Sequence, residues 1–198
     1  RIKIDEDRYQ TAAQIYADSM KNRTIKILPI FLDSDPQALA PPDITGMFNQ
    51  AKHDLQQTCV ILDVLPAETV KPKDVPAFTG GDTVRYDLQN WDPLVEYSQK
   101  PAHHRGQELT VFVVPFIAQA ITDEKGSATE ELEADPLGFQ YNDYLFISQA
   151  SFPQYLHVMG HEIGHYLFKD MYVSLEGEAH TPYSDMLMYY TSTEDCEI

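Results

Sequence analysis

The sequence predicts an α/β (α+β) fold in which helices back a twisted, mostly parallel sheet within a single domain of residues 1–198. Four apolar runs have the length and composition of strands, and segments with helical spacing of apolar residues lie before and between them. This alternation is typical of a parallel sheet covered by helices. A chain of 198 residues is also long enough to bury a core of that kind.

The elements follow one another along the chain in a strand, helix, strand order. Predicted strands are Thr24–Leu32 and residues 59–65, 109–117 and 143–149. Helices are predicted at residues 7–21 and 44–58, where Phe48, Ala51 and Leu55 keep one apolar stripe. A last helix is expected to begin at Ser151 as its N-cap, with Pro153 in the first turn, and to continue to Phe168.

Residues 66–108 form a long connection rich in proline and glycine. Connections of this length usually carry function or contain short strands of their own. The segment could shape a cleft, hold a structural metal through His103 and His104, or run over the surface. Of these three interpretations we favour the path over the surface.

The last predicted helix contains His161-Glu162-x-x-His165, a pattern of metal-dependent hydrolases. Residues four apart lie on one face of a helix, so both imidazoles can bind one Zn²⁺ at about 2.0–2.1 Å. Glu162 can act on a nearby water without being a ligand. The apolar residues of this helix lie opposite the histidines, which predicts that the histidines face a cleft. His157 lies about 12 Å along the axis from His165, too far to share a metal, and is expected at the rim.

A catalytic zinc usually has three protein ligands and one open position. The downstream candidates for the third ligand are Asp170, Glu176, Glu178, His180 and Asp185. Spacing alone does not choose among them.

Two further segments resemble the metzincin zinc proteases. Gly177-Glu178-Ala179-His180 reproduces their Gly-x-x-His, and the sequence around Met188, Ser-Asp-Met-Leu-Met-Tyr, is similar to their Met-turn, in particular that of the matrixin branch. The resemblance implies a zinc-dependent endopeptidase with one catalytic Zn²⁺ held by His161, His165 and His180. It also implies an upper lobe of about residues 1–168 and a short C-terminal lower lobe of about residues 169–198.

The chain departs from the metzincin pattern between the second and third histidine. His180 follows His165 by fifteen positions where the family has six, and Phe168 occupies the usual glycine position. We interpret this as a nine-residue insertion from Lys169 to about Gly177. Two alternatives stay open for the third ligand: Glu176 or Glu178 on a second helix, as in gluzincins, or an aspartate.

The resemblance also assigns roles outside the metal ligands. Tyr190 stands two residues after Met188, where astacins and serralysins carry a tyrosine near the metal. It would stabilise the oxyanion; otherwise it would form the wall of the specificity pocket or be a plain surface aromatic. The family binds its protein or peptide substrate along an antiparallel edge strand. The best candidate runs from Gly126 to Glu130, similar to the Gly-x-Ala-Thr of pappalysin-like proteases; a plain acidic loop is the alternative.

The composition excludes some partners. Thirty-one acidic against fourteen basic residues give a formal charge of −17, which disfavours nucleic acids and anionic membranes as partners. No run approaches the roughly 18–20 apolar residues of a membrane span. Acidic residues between the third and fourth strands indicate a solvated surface, or Ca²⁺ binding as metzincins often show there; they are Asp123, Glu124, Glu130, Glu131, Glu133 and Asp135.

Cys59 and Cys196 permit one disulfide without requiring it. Such a bond would tie the C-terminal tail to the sheet, and it fits the secreted or extracellular location that we expect. A competing hypothesis is a non-catalytic binding or toxin-like module with a structural metal. The presence of Glu162 argues against it, since a structural zinc site has no use for an adjacent base.

Overall fold

The structure is a computed structural model, and it describes residues 23–33, 41–55, 60–81, 83–85, 89–122, 128–134, 138–149 and 156–174. The helix predicted at residues 7–21 lies outside these ranges, as do Cys59 and Cys196. No helix in the described ranges is long and apolar enough to cross a membrane.

The main sheet is mostly parallel, as predicted. Its strands are β1 (Thr24–Leu32), β2 (Ile61–Val64), β3 (Glu68–Val70), β5 (Leu109–Val114), β8 (Gly138–Tyr141) and β9 (Tyr144–Ser148). They lie in the order β2-β1-β5-β9-β8, and β3 pairs with the C-terminal part of β1 beyond β2. β1, β2, β3, β5 and β9 pair in parallel, and β8 pairs antiparallel with β9 at one edge.

A smaller sheet of three strands lies beside the main one. It consists of β4 (Thr83–Arg85), β6 (Phe116–Thr122) and β7 (Ala128–Ala134), in the order β4-β6-β7. The predicted strand at residues 109–117 is therefore two strands, separated at Pro115. Pro115, which has no amide hydrogen to donate to a neighbouring strand, lies between the two.

In the described part of the chain, three α-helices accompany the sheets: α1 (Pro41–Asp54), α2 (Asp92–Ser98) and α3 (Val158–Ser174). α1 begins three residues before its predicted start, because prolines suit the first helical turn. α3 begins at Val158, after a turn at Leu156 and His157, whereas the predicted N-cap Ser151 and Pro153 lie outside the described residues. The helix extends past Phe168, which corrects its predicted end. Its first hydrogen bond runs from the His161 amide to the His157 carbonyl at 2.9 Å, so His157 precedes the helix instead of lying within it.

The strands of the main sheet carry apolar side chains on both faces. Both faces are therefore covered by other parts of the chain. Ile25, Ile27, Val111 and Ile147 point to the face that carries α1 and α3. The opposite face is covered by residues from the long connection of residues 66–108: Val75, Phe78, Val84, Trp91 and Leu94, each at most 9 % exposed. The surface path expected for this connection is therefore wrong, since its short strands and α2 supply one layer of the core.

β8 occupies the antiparallel edge next to the last strand. A two-residue turn at Asn142 and Asp143, with Asn142 at a φ of 51°, connects it directly to β9. The segment predicted as an antiparallel edge strand, Gly126 to Glu130, is described from Ala128 onwards and lies at the edge of the smaller sheet, not of the main one. Its described part belongs to β7, which pairs with β6 in the smaller sheet. Because the turn has only two residues, the strand that pairs with β9 is the segment that immediately precedes β9 in the sequence.

Aromatic stacking holds β8 on the sheet. Phe139 stacks on Phe146 with ring centroids 4.6 Å apart, and the ring centroids of Tyr141 and Trp91 are 4.4 Å apart. These side chains point away from α3, so Gly138 and Gln140 of the same strand point towards it. β8 is thus held in place by aromatic contacts on the face of the sheet that points away from α3.

Candidate metal centre

α3 is fixed on the sheet by an apolar stripe. Met159, Ile163, Tyr166 and Leu167 are buried in the same cluster as α1 and the helix-facing side of the sheet. Their spacing is the one that predicted this helix. His161 and Glu162 are nevertheless buried too, at 7 % and 6 % exposed, whereas His165 is half-buried.

The two histidines of the motif meet as predicted. His161 Nε2 and His165 Nε2 lie 3.2 Å apart, and the rings are nearly perpendicular with centroids 4.8 Å apart. Two nitrogens bound to one tetrahedral zinc at about 2.0–2.1 Å would be about 3.3 Å apart. The observed separation therefore fits a shared Zn²⁺, and it equally fits a hydrogen bond between one protonated and one unprotonated nitrogen.

Glu162 lies in an environment with little water. Burial raises the pKa of its carboxyl from 4.5 to about 8. Its Cγ lies against the first residue of β8, where a Cβ built on Gly138 would be 3.0 Å away. A carboxylate that has lost its hydration accepts a proton readily, which is the property expected of a general base.

A buried polar contact fixes the beginning of α3. Asp54, at the end of α1, accepts hydrogen bonds from Gln50 Nε2 at 2.7 Å and from His157 Nδ1 at 3.1 Å to each carboxylate oxygen. The Asp54 side chain is 1 % exposed and that of His157 is 25 % exposed, so His157 binds α1 rather than lying free at a rim. An acidic side chain beside the first turn of a helix also complements its dipole.

Gly160 allows this close approach, and we predict that Gly160→Ala destabilises the protein. A Cβ at position 160 would lie 2.6 Å from Asp54 Oδ2 and 3.2 Å from Asp54 Cβ. Because Gln50 and His157 hold the carboxylate, Asp54 cannot simply move away. The expected loss is about 1–3 kcal/mol in the free energy of unfolding, measured by urea denaturation.

The matched control is Gly46→Ala in α1, where an added Cβ meets nothing within 4 Å. That variant should be neutral or slightly more stable, because alanine favours a helix over glycine. Equal behaviour of the two variants would show that Asp54 leaves room for a side chain at position 160.

The other part of α3 is anchored by a second polar cluster. Tyr166 donates a hydrogen bond to Glu108 Oε1 at 3.2 Å, and Arg23 binds the same carboxylate. Burial raises the pKa of Tyr166 to about 12, and the Glu108 charge adds to the shift. The tyrosine thus remains a neutral donor at physiological pH, and both parts of α3 are fixed.

The third ligand cannot be placed within the described ranges. Glu176, Glu178, His180 and Asp185 lie outside them, as do Met188 and Tyr190, and of Asp170 only its place on α3 is described. Among the described residues no group of three or more His, Cys, Asp or Glu side chains could hold a metal. His103 binds Glu68 Oε2 at 2.8 Å and stacks on Tyr97, so it serves in a local polar cluster.

Sequence reasoning missed Asp54 and Gly138 at this site. Asp54 is 103 residues from His157 in sequence, and no local pattern connects them. Gly138 carried no such signal either, because it lies outside every predicted strand and is the first residue of β8.

No protein-family model matches the sequence, and no curated protein matches it. Among solved structures, the chain is similar to that described as "Crystal Structure of metalloproteinase-II from Bacteroides fragilis", with 16% sequence identity and a TM-score of 0.47. The similarity covers 87% of this chain and 48% of that one, so this chain spans about half the length of the protein it resembles.

Proposed function

We propose that the chain is a zinc-dependent endopeptidase of metzincin type. The observation that carries the proposal is the pair of imidazole nitrogens 3.2 Å apart on one helix, with the buried Glu162 directly after His161 on the same helix. His161, His165 and His180 would hold the metal. Tyr190 would complete the site near the oxyanion.

The chemistry divides between the metal and the chain. A bound zinc supplies a Lewis acid that polarises the scissile carbonyl and acidifies water. Glu162 accepts the proton of the attacking water and then delivers it to the leaving amine. Its burial excludes bulk water, so the proton stays with the carboxyl between the two transfers.

The substrate in this proposal is a protein or peptide bound as an added strand. In the described part of the chain, β8 has β9 on one side and ends the main sheet on the other. Its first residue lies against Glu162. A peptide that pairs with the side of β8 opposite to β9 would therefore run past the base, with its backbone amides providing affinity.

The test combines elemental analysis with a quenched-peptide cleavage assay. Wild type should contain about one zinc per chain and cleave peptide, whereas His165→Ala and His180→Ala should lose both. His53→Ala, which changes an exposed histidine of α1, is the matched control and should keep both.

Each departure from this result has a distinct meaning. Full zinc and activity in His180→Ala, with loss of both in Glu176→Ala or Glu178→Ala, would replace the metzincin assignment by a gluzincin one. Zinc without cleavage of any peptide would indicate a non-catalytic metal module. Wild type without zinc would overturn the proposed function.

A further inference from the structure

Gly138 lies where the edge strand meets the proposed base. It is the first residue of β8 and pairs with Ile147 of β9. A Cβ at this position would be 3.0 Å from Glu162 Cγ, 3.0 Å from Ile147 Cδ1 and 3.0 Å from the Phe146 carbonyl oxygen. These distances are tighter than ordinary carbon contacts, so a side chain of any size would displace a neighbour.

The backbone conformation does not explain a glycine here. Gly81 and Gly106 have positive φ values of 62° and 70°, in the region that favours glycine. Gly138 has no such φ, and it forms the terminal pair of the antiparallel β8–β9 ladder with Ile147. The lack of room for a Cβ at position 138, and not the backbone conformation, is therefore what requires glycine.

Of the three neighbours, Glu162 is the one whose displacement would affect the proposed reaction. The Phe146 oxygen belongs to the backbone of β9, which lies between β5 and β8 and is fixed by both. Ile147 is fully buried in the helix-side core. A methyl group at position 138 would thus push against the buried Glu162 side chain and shift its carboxyl.

We propose that Gly138 is a positioning residue for Glu162: its missing side chain sets where the carboxyl lies relative to the edge strand. This inference rests on the proposed peptidase function. Since β8 would also pair with the substrate, the same contact fixes the distance between the substrate backbone and the base. Misplacement of a catalytic group by as little as about 1 Å can reduce a rate by about 10²-fold.

The first experiment compares Gly138→Ala with wild type in the zinc-loaded protein. We expect kcat to fall about tenfold, with KM within about twofold and zinc content unchanged, because shifts of a few tenths of an ångström affect orientation before binding. Gly46→Ala in α1, with no neighbour within 4 Å of the added methyl, should keep the wild-type kcat. An unchanged kcat in Gly138→Ala would overturn the proposal.

Gly138→Ala/Ile147→Val guards against a variant that fails to fold. Valine removes the Ile147 Cδ1 atom, which relieves one of the three close contacts and leaves that with Glu162. We expect the double variant to melt closer to wild type yet retain the reduced kcat. Recovery of kcat together with the melting temperature would show a general packing effect and would overturn the proposal.

A double-mutant cycle tests the contact without any reference to activity. Gly138→Ala should lower the melting temperature less in a Glu162→Ala background, where Cγ is absent, than in wild type. An equal decrease in both backgrounds would overturn the proposed contact. If the cycle shows coupling but wild type cleaves no peptide, the contact stands and the peptidase function is what fails.

Discussion

Glu162→Gln is expected to reduce peptide hydrolysis by about 10²–10⁴-fold while the protein keeps one zinc. The amide has nearly the same shape as the carboxyl, so the buried side chain retains its packing against β8. It cannot accept the proton of the attacking water. Since neither histidine is changed, metal binding persists and only the chemical step is lost.

The measurement is kcat/KM on a quenched peptide, with zinc content determined on the same sample. Glu96→Gln is the matched control, because Glu96 is exposed on α2, which packs on the opposite face of the sheet. It should cleave at the wild-type rate. Wild-type activity in Glu162→Gln would exclude Glu162 as the base and would require another proton acceptor near the histidines.

The second large effect is expected in the metal-free protein, as a dependence of stability on pH. Burial raises the pKa of Glu162 from 4.5 to about 8. Between these values the folded state keeps a proton that the unfolded state has lost, so stability falls as pH rises through this window. At about 1.4 kcal/mol per pKa unit, the loss between pH 4.5 and 8 is on the order of 3–5 kcal/mol.

Glu162→Gln removes this titration, so the difference in unfolding free energy between wild type and variant isolates it. Urea denaturation of chelator-treated proteins at pH 5 and pH 9 measures that difference. Relative to wild type, the variant should gain stability from pH 5 to pH 9, whereas exposed Glu96→Gln should not. Parallel pH curves for wild type and Glu162→Gln would mean that the carboxyl is hydrated when no metal is bound.

The sequence predicted those parts of the fold that depend on local patterns. β1 has its predicted bounds because the apolar run from Ile25 to Leu32, interrupted at Lys26, was long enough for one buried strand. The apolar stripe of Met159 and Ile163 correctly placed α3 on the core, and the four-residue spacing brought His161 and His165 together.

The features that the sequence did not predict depended on which segments pair or pack with one another in the folded chain. The acidic segment of β7 and the segment of β8 both precede the last strand, and the choice of edge strand was settled by the two-residue turn at Asn142. That hairpin signal was present in the sequence between two apolar runs. The contact of Asp54 with His157 had no such signal, because it exists only once α1 and α3 pack together.

The four-residue length of β8 has a consequence for self-association. An open sheet edge pairs with any extended chain, including the edge of another copy, and long flat edges are sites of aggregation. A strand as short as Gly138–Tyr141 offers few backbone hydrogen bonds. It can pair transiently with a flexible peptide, but its hydrogen-bond ladder is too short to join two molecules into a lasting fibre.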